Sequence, residues 1–440
     1  MNARLPPVAP CCPSPPAAFA AAPAARAAEG RGWRGAAALL ALVTALVGCG
    51  GGGSDAASAP SPAPAPPPAA APAPAAAPSA TIRVGIRSSG RAQINTPLVD
   101  VTLCTESGVC QTVTDVLVDT GSAGLRLSAS ALDARLLAAL SPVGTAAGAL
   151  HACAPFASGT LWGALWLARV QVGGAQTQQA IPVQVYEDAL RAAPRPDGCS
   201  ARGPDLAASL AATANGILGI DNFRQDCGPT CAARADTGFY FTCRDGLCSP
   251  STAELARQTR NPVSAFAPGL DDGHFITLPG VPLPNGLPSV EGTLRFGLSS
   301  AEALTRLASA QLYPLDARGQ LGLSLNGTSA RGFIDSGSNG YFLDLPGLPV
   351  CSQRFYCPPR PVEYTVRLRQ SDAREGPALA MVIADAQAAA LTGNKALPAL
   401  GGTAALAGLV DLGLPLFYGR SLATGLEGRR PDAPTGFVAF

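Results

Sequence analysis

GFIDSGSNGY (residues 332–341) decides how this chain is read. Apolar residues run into Asp335, a Ser-Gly-Ser-Asn-Gly stretch turns the chain, and apolar character resumes at Tyr341. The same arrangement stands 216 residues earlier as VLVDTGSAGL (116–125), where Asp119 ends the apolar run. A lone Asp-Thr-Gly says little, because Asp and Gly are favoured in turns anyway. Two copies, each closing an apolar strand, point to two similar halves that each deliver a carboxylate. Glycine lets such loops approach closely, which is the use assigned to Gly121 and Gly337. The hydroxyls of Thr120 and Ser336 are then placed to bond the opposing loop's backbone, and those of Ser122 and Ser338 to bond the carboxylates.

Two aspartates held about 3 Å apart cannot both ionise, so the pair keeps one shared proton and titrates as a unit. One site then holds both an acid and a base. The ionised member can take a proton from a water between the two, while the protonated member polarises a carbonyl and later supplies a proton to the leaving amine. Asp119 and Asp335 are the expected catalytic residues.

Outward from these turns the sequence reads as strands. TIRVGI, PLVDVTLC and QTVTDVLVD precede Asp119; HFITLP, EGTLRFG, AQLYPLD and QLGLSLNG precede Asp335. SASALDARLLAAL (128–140) is read as a short helix with Ser128 or Ser130 as its cap. Residues 199–250 are cysteine-rich and loop-like, and strands are expected again from NPVSAFA (261–267) onward. At 440 residues, with 49 Gly and 42 Pro, two folded units built from strands and turns are expected, divided at 81–265 and 266–440.

The first 80 residues are read as lying outside that fold. Arg31 and Arg34 precede an uncharged apolar run from Ala36 to Val47, too short to span a bilayer but suited to a signal-peptide core. Leu46-Val47-Gly48-Cys49 resembles the bacterial lipobox, which implies a signal peptide over 1–48 and lipidation of Cys49. Gly50 after the cysteine implies, by the same resemblance, the outer membrane. Residues 49–80, Gly-rich and then Pro/Ala-rich, read as a tether reaching at most about 90 Å at roughly 3.1 Å per residue. The expected location is exported and lipid-anchored, with the body in the periplasm or at the cell surface.

Ten cysteines remain in the body: Cys104, Cys110, Cys153, Cys199, Cys227, Cys231, Cys243, Cys248, Cys351 and Cys357. An even set in an exported chain argues for disulfides, with local staples such as Cys104/Cys110 and Cys351/Cys357 and otherwise open connectivity. The rival reading, zinc at Cys227, Cys231, Cys243 and Cys248, suits an oxidising compartment less well.

With both acid turns in place, the chain resembles the pepsin-like aspartic proteases over most of 81–440. SGTLWGALWLARVQVGG (158–174) is similar to that family's flap hairpin, NGILGI (215–220) to the segment crossing behind the first acid loop, and DLGLPLFYGR (411–420) to its counterpart. The resemblance implies an all-β, bilobal fold with a central cleft and only short helices. It also implies a flap and cleft drawing on Phe156, Gly159 and Trp162. Phe156 stands where the family usually has a tyrosine and Arg126 where it usually has a tryptophan, a paired departure that suggests a remodelled flap.

Other chemistries are poorly supported. A net charge of +1 offers no field for a polyanion, so nucleic acid is not an expected partner. His151 and His274, the only histidines, are read as loop residues; no Gly-x-Ser-x-Gly surrounds any serine, and no His pair has ligand spacing, so neither a metal nor a cofactor is expected. Trp162 and Trp166 could line a cleft or simply pack. Asp100, Asp115 and Asp316 are read as solvated or turn acids. The expected function is a monomeric, lipid-anchored aspartic endopeptidase acting on peptides or proteins; the alternative is a non-catalytic surface-binding lipoprotein on the same scaffold.

Overall fold

The structure is a computed structural model that describes residues 77–88, 93–187, 193–351, 354–370 and 372–440. The expected signal peptide, Cys49 and all but the last residues of the tether lie outside the described residues. The first strand, Ser79–Val84, begins just inside the expected tether.

The fold is all-β, and its longest helix among the described residues is Ala301–Ser309. The acid-bearing strand Cys110–Asp119 starts exposed and becomes largely buried as it nears Asp119, with Val116, Val118 and Asp119 buried and Leu117 half-buried. Strand Gly216–Ile220 runs parallel to it, with Gly219 opposite Asp119, and antiparallel to Ala123–Ser128 beyond the turn. The second half repeats this unit. Strand Leu409–Leu412 runs parallel to Thr328–Ile334, with Leu412 opposite Ile334, and antiparallel to Tyr341–Phe342.

One glycine in or just after each crossing strand meets its acid turn. A Cβ on Gly219 would lie 2.8 Å from the carbonyl oxygens of Ser122 and Gly124; one on Gly413 would lie 2.1 Å from that of Gly340. Each crossing strand presses so closely on its acid turn that no side chain fits.

A shared sheet links the halves. The first strand pairs antiparallel with Val290–Phe296, which pairs with Gly273–Leu278, and that in turn with Arg420–Gly425. A sheet of 18 strands therefore takes in the first half and these linking strands, while a seven-stranded sheet carries the second acid. The largest apolar cluster runs from Ile82 and Val84 through Val118 and Leu218 to Ile334 and Leu412.

Several local expectations are corrected. SASALDARLLAAL breaks into a 3-10 turn at Ala129–Ala131, capped by Ser128, and a separate helix at Ala134–Ala139. NPVSAFA is not a strand: Asn261 caps a 3-10 turn at Pro262–Ala265, where proline's fixed φ suits the first turn. The cysteine-rich segment contains the hairpin Tyr240–Arg244 and Leu247–Pro250. His151 and His274 are buried on strands, not in loops. Asp115 is 1 % exposed, ion-paired to Arg83 and Arg87 and bonded by the Ser88 amide, rather than solvated. Asp316 does close a turn, accepting from the Arg318 and Gln320 amides.

The expectation of disulfides holds. Four bonds are local, Cys104–Cys110, Cys227–Cys231, Cys243–Cys248 and Cys351–Cys357. The fifth, Cys153–Cys199, closes 46 residues and ties a long hairpin to the cysteine-rich segment. The four thiols of the rival zinc reading are thus used up in two of the local bonds.

Candidate active site

The two acid turns interlock. Thr120 Oγ1 donates to the Ile334 carbonyl (3.0 Å) and accepts from the Ser336 amide (2.9 Å). Ser336 Oγ donates to the Val118 carbonyl (2.8 Å) and accepts from the Thr120 amide (3.1 Å). Four hydrogen bonds across a local twofold axis thus satisfy polar groups that would otherwise be buried unpaired. Thr120 and Ser336 are themselves buried.

This clasp brings the carboxyls together. Asp119 and Asp335 lie against each other at one cavity, and the Asp119 charge acts directly on Asp335. Each is oriented twice from its own turn: the Gly121 amide donates to Asp119 Oδ1 (2.8 Å) and the Gly337 amide to Asp335 Oδ1 (2.7 Å). Ser122 Oγ donates to Asp119 Oδ2, and Ser338 Oγ lies 2.8 Å from Asp335 Oδ2. The turn glycines are close-approach positions, since a Cβ on Gly121 would lie 2.6 Å from Asp335 Cγ and one on Gly337 2.8 Å from Asp119 Oδ1. Burial, and then the neighbouring charges of Asp119 and Asp411, push the Asp335 carboxyl well above the usual carboxylate range. Asp335 is therefore the member suited to hold a proton.

Cavities flank the pair. One of about 320 Å³ is lined by Asp119, Asp335, Leu117, Leu161, Ile217 and Phe156, with further apolar and hydroxyl groups. A second, of about 170 Å³, is lined by Phe333 and Gly121, which correspond in the duplicated turns to Leu117 and Gly337 of the first, and by Arg318 and Asp221. Burial raises the Asp221 carboxyl well above its ordinary range; the Phe223 amide opposes the shift and the Asp119 charge adds to it.

A hairpin covers the larger cavity. Strands Gly148–Phe156 and Gly159–Val172 pair so that Phe156 faces Gly159 across the tip. Gly159 has φ 155° and a Cβ there would lie 2.4 Å from the Pro204 carbonyl oxygen, so the turn needs glycine. The Arg126 guanidinium lies 5.6 Å from the Phe156 ring centre. Arg126 is buried, donates to the Ala123 carbonyl (2.7 Å) and pairs with buried Asp226 (3.2 Å), which also accepts from the Tyr240 hydroxyl. The two departures noted in the sequence thus meet as a cation–π contact anchored by an ion pair.

Trp162 does not line the cavity. Alternation along its strand turns Leu161 toward the cavity and Trp162 to the opposite face, where its ring stacks on His151 and meets Phe241 and its Nε1 donates to the Ala193 carbonyl. Neither histidine serves as a base here: burial holds His274 at about 3, with no hydrogen bond to either ring nitrogen, and His151 sits against Trp162.

One site residue escaped the sequence reading. Asp411 is 7 % exposed and its Oδ2 lies 2.6 Å from Ser338 Oγ. Its signal was present in DLG, where an acid stands two residues before the crossing glycine while the first half has Ile217 at that place.

A two-lobed, all-β protein with a paired-aspartate cleft is the class that this fold and site define. The chain belongs to the family described as "Protein of unknown function (DUF3443)", which matches residues 74–440. No curated protein matches it. Among solved structures it is similar to an aspartic proteinase from Irpex lacteus, at 15% identity and TM-score 0.46, over 83% of this chain and 97% of that one. A likeness that distant adds no weight to what the site geometry says.

Proposed function

We propose that the protein is an aspartic-type endopeptidase. The observation that carries this reading is the pair of carboxyls brought together at one cavity by the interlocked turns, each held by a backbone amide and a hydroxyl of its own turn. A water between them would lose a proton to the ionised member and attack a carbonyl polarised by the protonated one. No covalent intermediate is needed, and the site's own residues supply both acid and base. The Phe156 hairpin would fold over an extended peptide and limit access of bulk water.

The N-terminal sequence supports an exported chain anchored through lipidated Cys49, with its body outside the inner membrane; the proposed activity is that of a monomer on peptide or protein substrates. Phe156 lacks the hydroxyl usual at a flap tip, which favours as second reading a binding protein without turnover.

Incubating the protein with a diverse peptide library over acidic to neutral pH separates the two. Cleavage that a statine-type transition-state analogue blocks, and that Asp335→Asn abolishes, is expected. Undiminished cleavage by Asp119→Asn and Asp335→Asn would end the endopeptidase reading.

A further inference from the structure

The crossing strand of the first half carries Ile217 opposite Leu117; at the equivalent place the second half carries Asp411 opposite Phe333. Ser338 Oγ lies 2.8 Å from Asp335 Oδ2 and 2.6 Å from Asp411 Oδ2. A hydroxyl has one proton, so Ser338 can donate in only one of these contacts, and the other needs the proton of a neutral carboxyl. With Asp411 neutral, Asp411 donates to Ser338 and Ser338 donates to Asp335. With Asp411 ionised, Ser338 turns its proton to Asp411 and Asp335 loses that donor.

We propose that Asp411 is a positioning residue which, through Ser338, keeps the pair's shared proton on Asp335 as pH rises. This rests on the reading of Asp119 and Asp335 as the working pair. The charged groups facing Asp411 are Asp119 and Asp335, both acids, and its register neighbours Phe333 and Phe342 carry no charge. Asp411 Oδ1 is buried without a hydrogen-bond partner, a setting that favours the neutral form. Burial raises Asp411 to about 8, with Ser338 opposing and the Asp119 charge adding, whereas Asp335 stands well above its ordinary range with Asp411 among its causes. In this proposal Asp411, whose Oδ1 has no partner, gives up its proton before Asp335 does. The new negative charge and the reoriented Ser338 then both strengthen the hold of Asp335 on its proton, and the pair remains one acid and one base.

The test is the pH dependence of kcat for the full chain, Asp411→Asn, Ser338→Ala and the double variant. In Asp411→Asn the alkaline limb is expected to move toward acid by about one pH unit, with the acid limb unmoved. A smaller shift is expected in the Ser338→Ala background, where only direct charge remains. Coincident alkaline limbs overturn the proposal, and equal shifts in both backgrounds overturn the role of Ser338. Infrared spectroscopy of protonated carboxyl bands between about pH 6 and about pH 10 gives a readout without turnover. The band lost first should be the one absent in Asp411→Asn and retained in Asp335→Asn, and the Asp335→Asn comparison with wild type suffices if Asp411→Asn does not fold. If no peptide is cleaved, the endopeptidase reading fails while the band order still decides this one; loss of the Asp335 band first overturns it.

Discussion

Asp119 sits beneath a hairpin whose tip rests on Arg126, with Ile217 on the strand crossing behind it; Asp335, at the same place in the other half, has Asp411 behind it. What the halves share is what any close carboxyl pair needs: an amide and a hydroxyl for each acid, a reciprocal Thr–Ser clasp, and a crossing segment whose glycine presses against the turn. What they do not share is what an asymmetric reaction uses. One half covers the cavity, and in the other the acid shares its serine with a third carboxyl. The repeated turn builds the carboxyl pair, and the differences between the halves give the two acids different surroundings.

The sharpest way to break that comparison is to neutralise each acid in turn. Asp119→Asn and Asp335→Asn should each lower kcat for peptide cleavage by about 10³-fold or more, because either change removes half of an acid–base unit. Folding should survive, as judged by an unchanged circular dichroism spectrum. If one variant kept most of its activity, the halves would not share the reaction.

The second contrast is covalent. Replacing Cys153 and Cys199 by Ser opens a closure of 46 residues and should cost about 4 kcal/mol in chain-entropy terms, against about 2 kcal/mol for the six-residue closure of Cys351 and Cys357. Urea unfolding of the two double variants measures the difference. Equal losses would mean that the long bond adds nothing to the half that carries the hairpin.

Arg126 offers a contrast that depends on pH. Arg126→Met should cost about 3 kcal/mol near neutral pH, because it strands buried Asp226 without its cation. Burial already raises the Asp226 carboxyl and Arg126 opposes that rise, so its removal lets the folded value climb further. A carboxyl raised in the folded state binds its proton more tightly there than in the unfolded chain. The variant should therefore come nearest to wild type below the unfolded value, about 3.9, and lose stability as pH rises through the folded value. Thermal melting from acidic to neutral pH tests this, and a pH-independent loss would show that removing Arg126 leaves the folded Asp226 carboxyl's proton affinity where it was.

Much of this was legible in the sequence, and for a physical reason. Asp119 and Asp335 each end an apolar strand in a glycine turn, a local pattern that local forces largely fix; its repetition pointed to two similar halves, and the all-β architecture came with the family resemblance. The helix expected over 128–140 broke because Leu132 and Asp133 adopt extended backbone between two short turns, a choice that apolar periodicity does not record. Trp162 was misplaced because a strand's face is set by its register, and its partner Cys153 faces the cysteine cluster. Asp115 and Asp411 were missed or misread for one common reason: a lone acid in sequence looks solvated until the fold brings its partners, Arg83 and Arg87 in one case and Ser338 in the other.

The smallest effect sharpens the comparison at the hairpin tip. Phe156→Leu keeps an apolar side chain over the larger cavity but removes the ring that faces the Arg126 guanidinium. The lost cation–π contact should cost about 1 kcal/mol, read as a fall in melting temperature. If the ring steadies a closed hairpin over substrate, KM for peptides should rise while kcat changes little, since Asp119 and Asp335 are untouched. In an Arg126→Met background the same change should cost markedly less, because the partner is already gone, and that double-mutant coupling distinguishes a specific contact from simple loss of apolar area. A Phe156→Leu loss that is the same size in both backgrounds would show that the ring packs at the tip without drawing on Arg126, and the cover over Asp119 would then owe nothing to that buried pair.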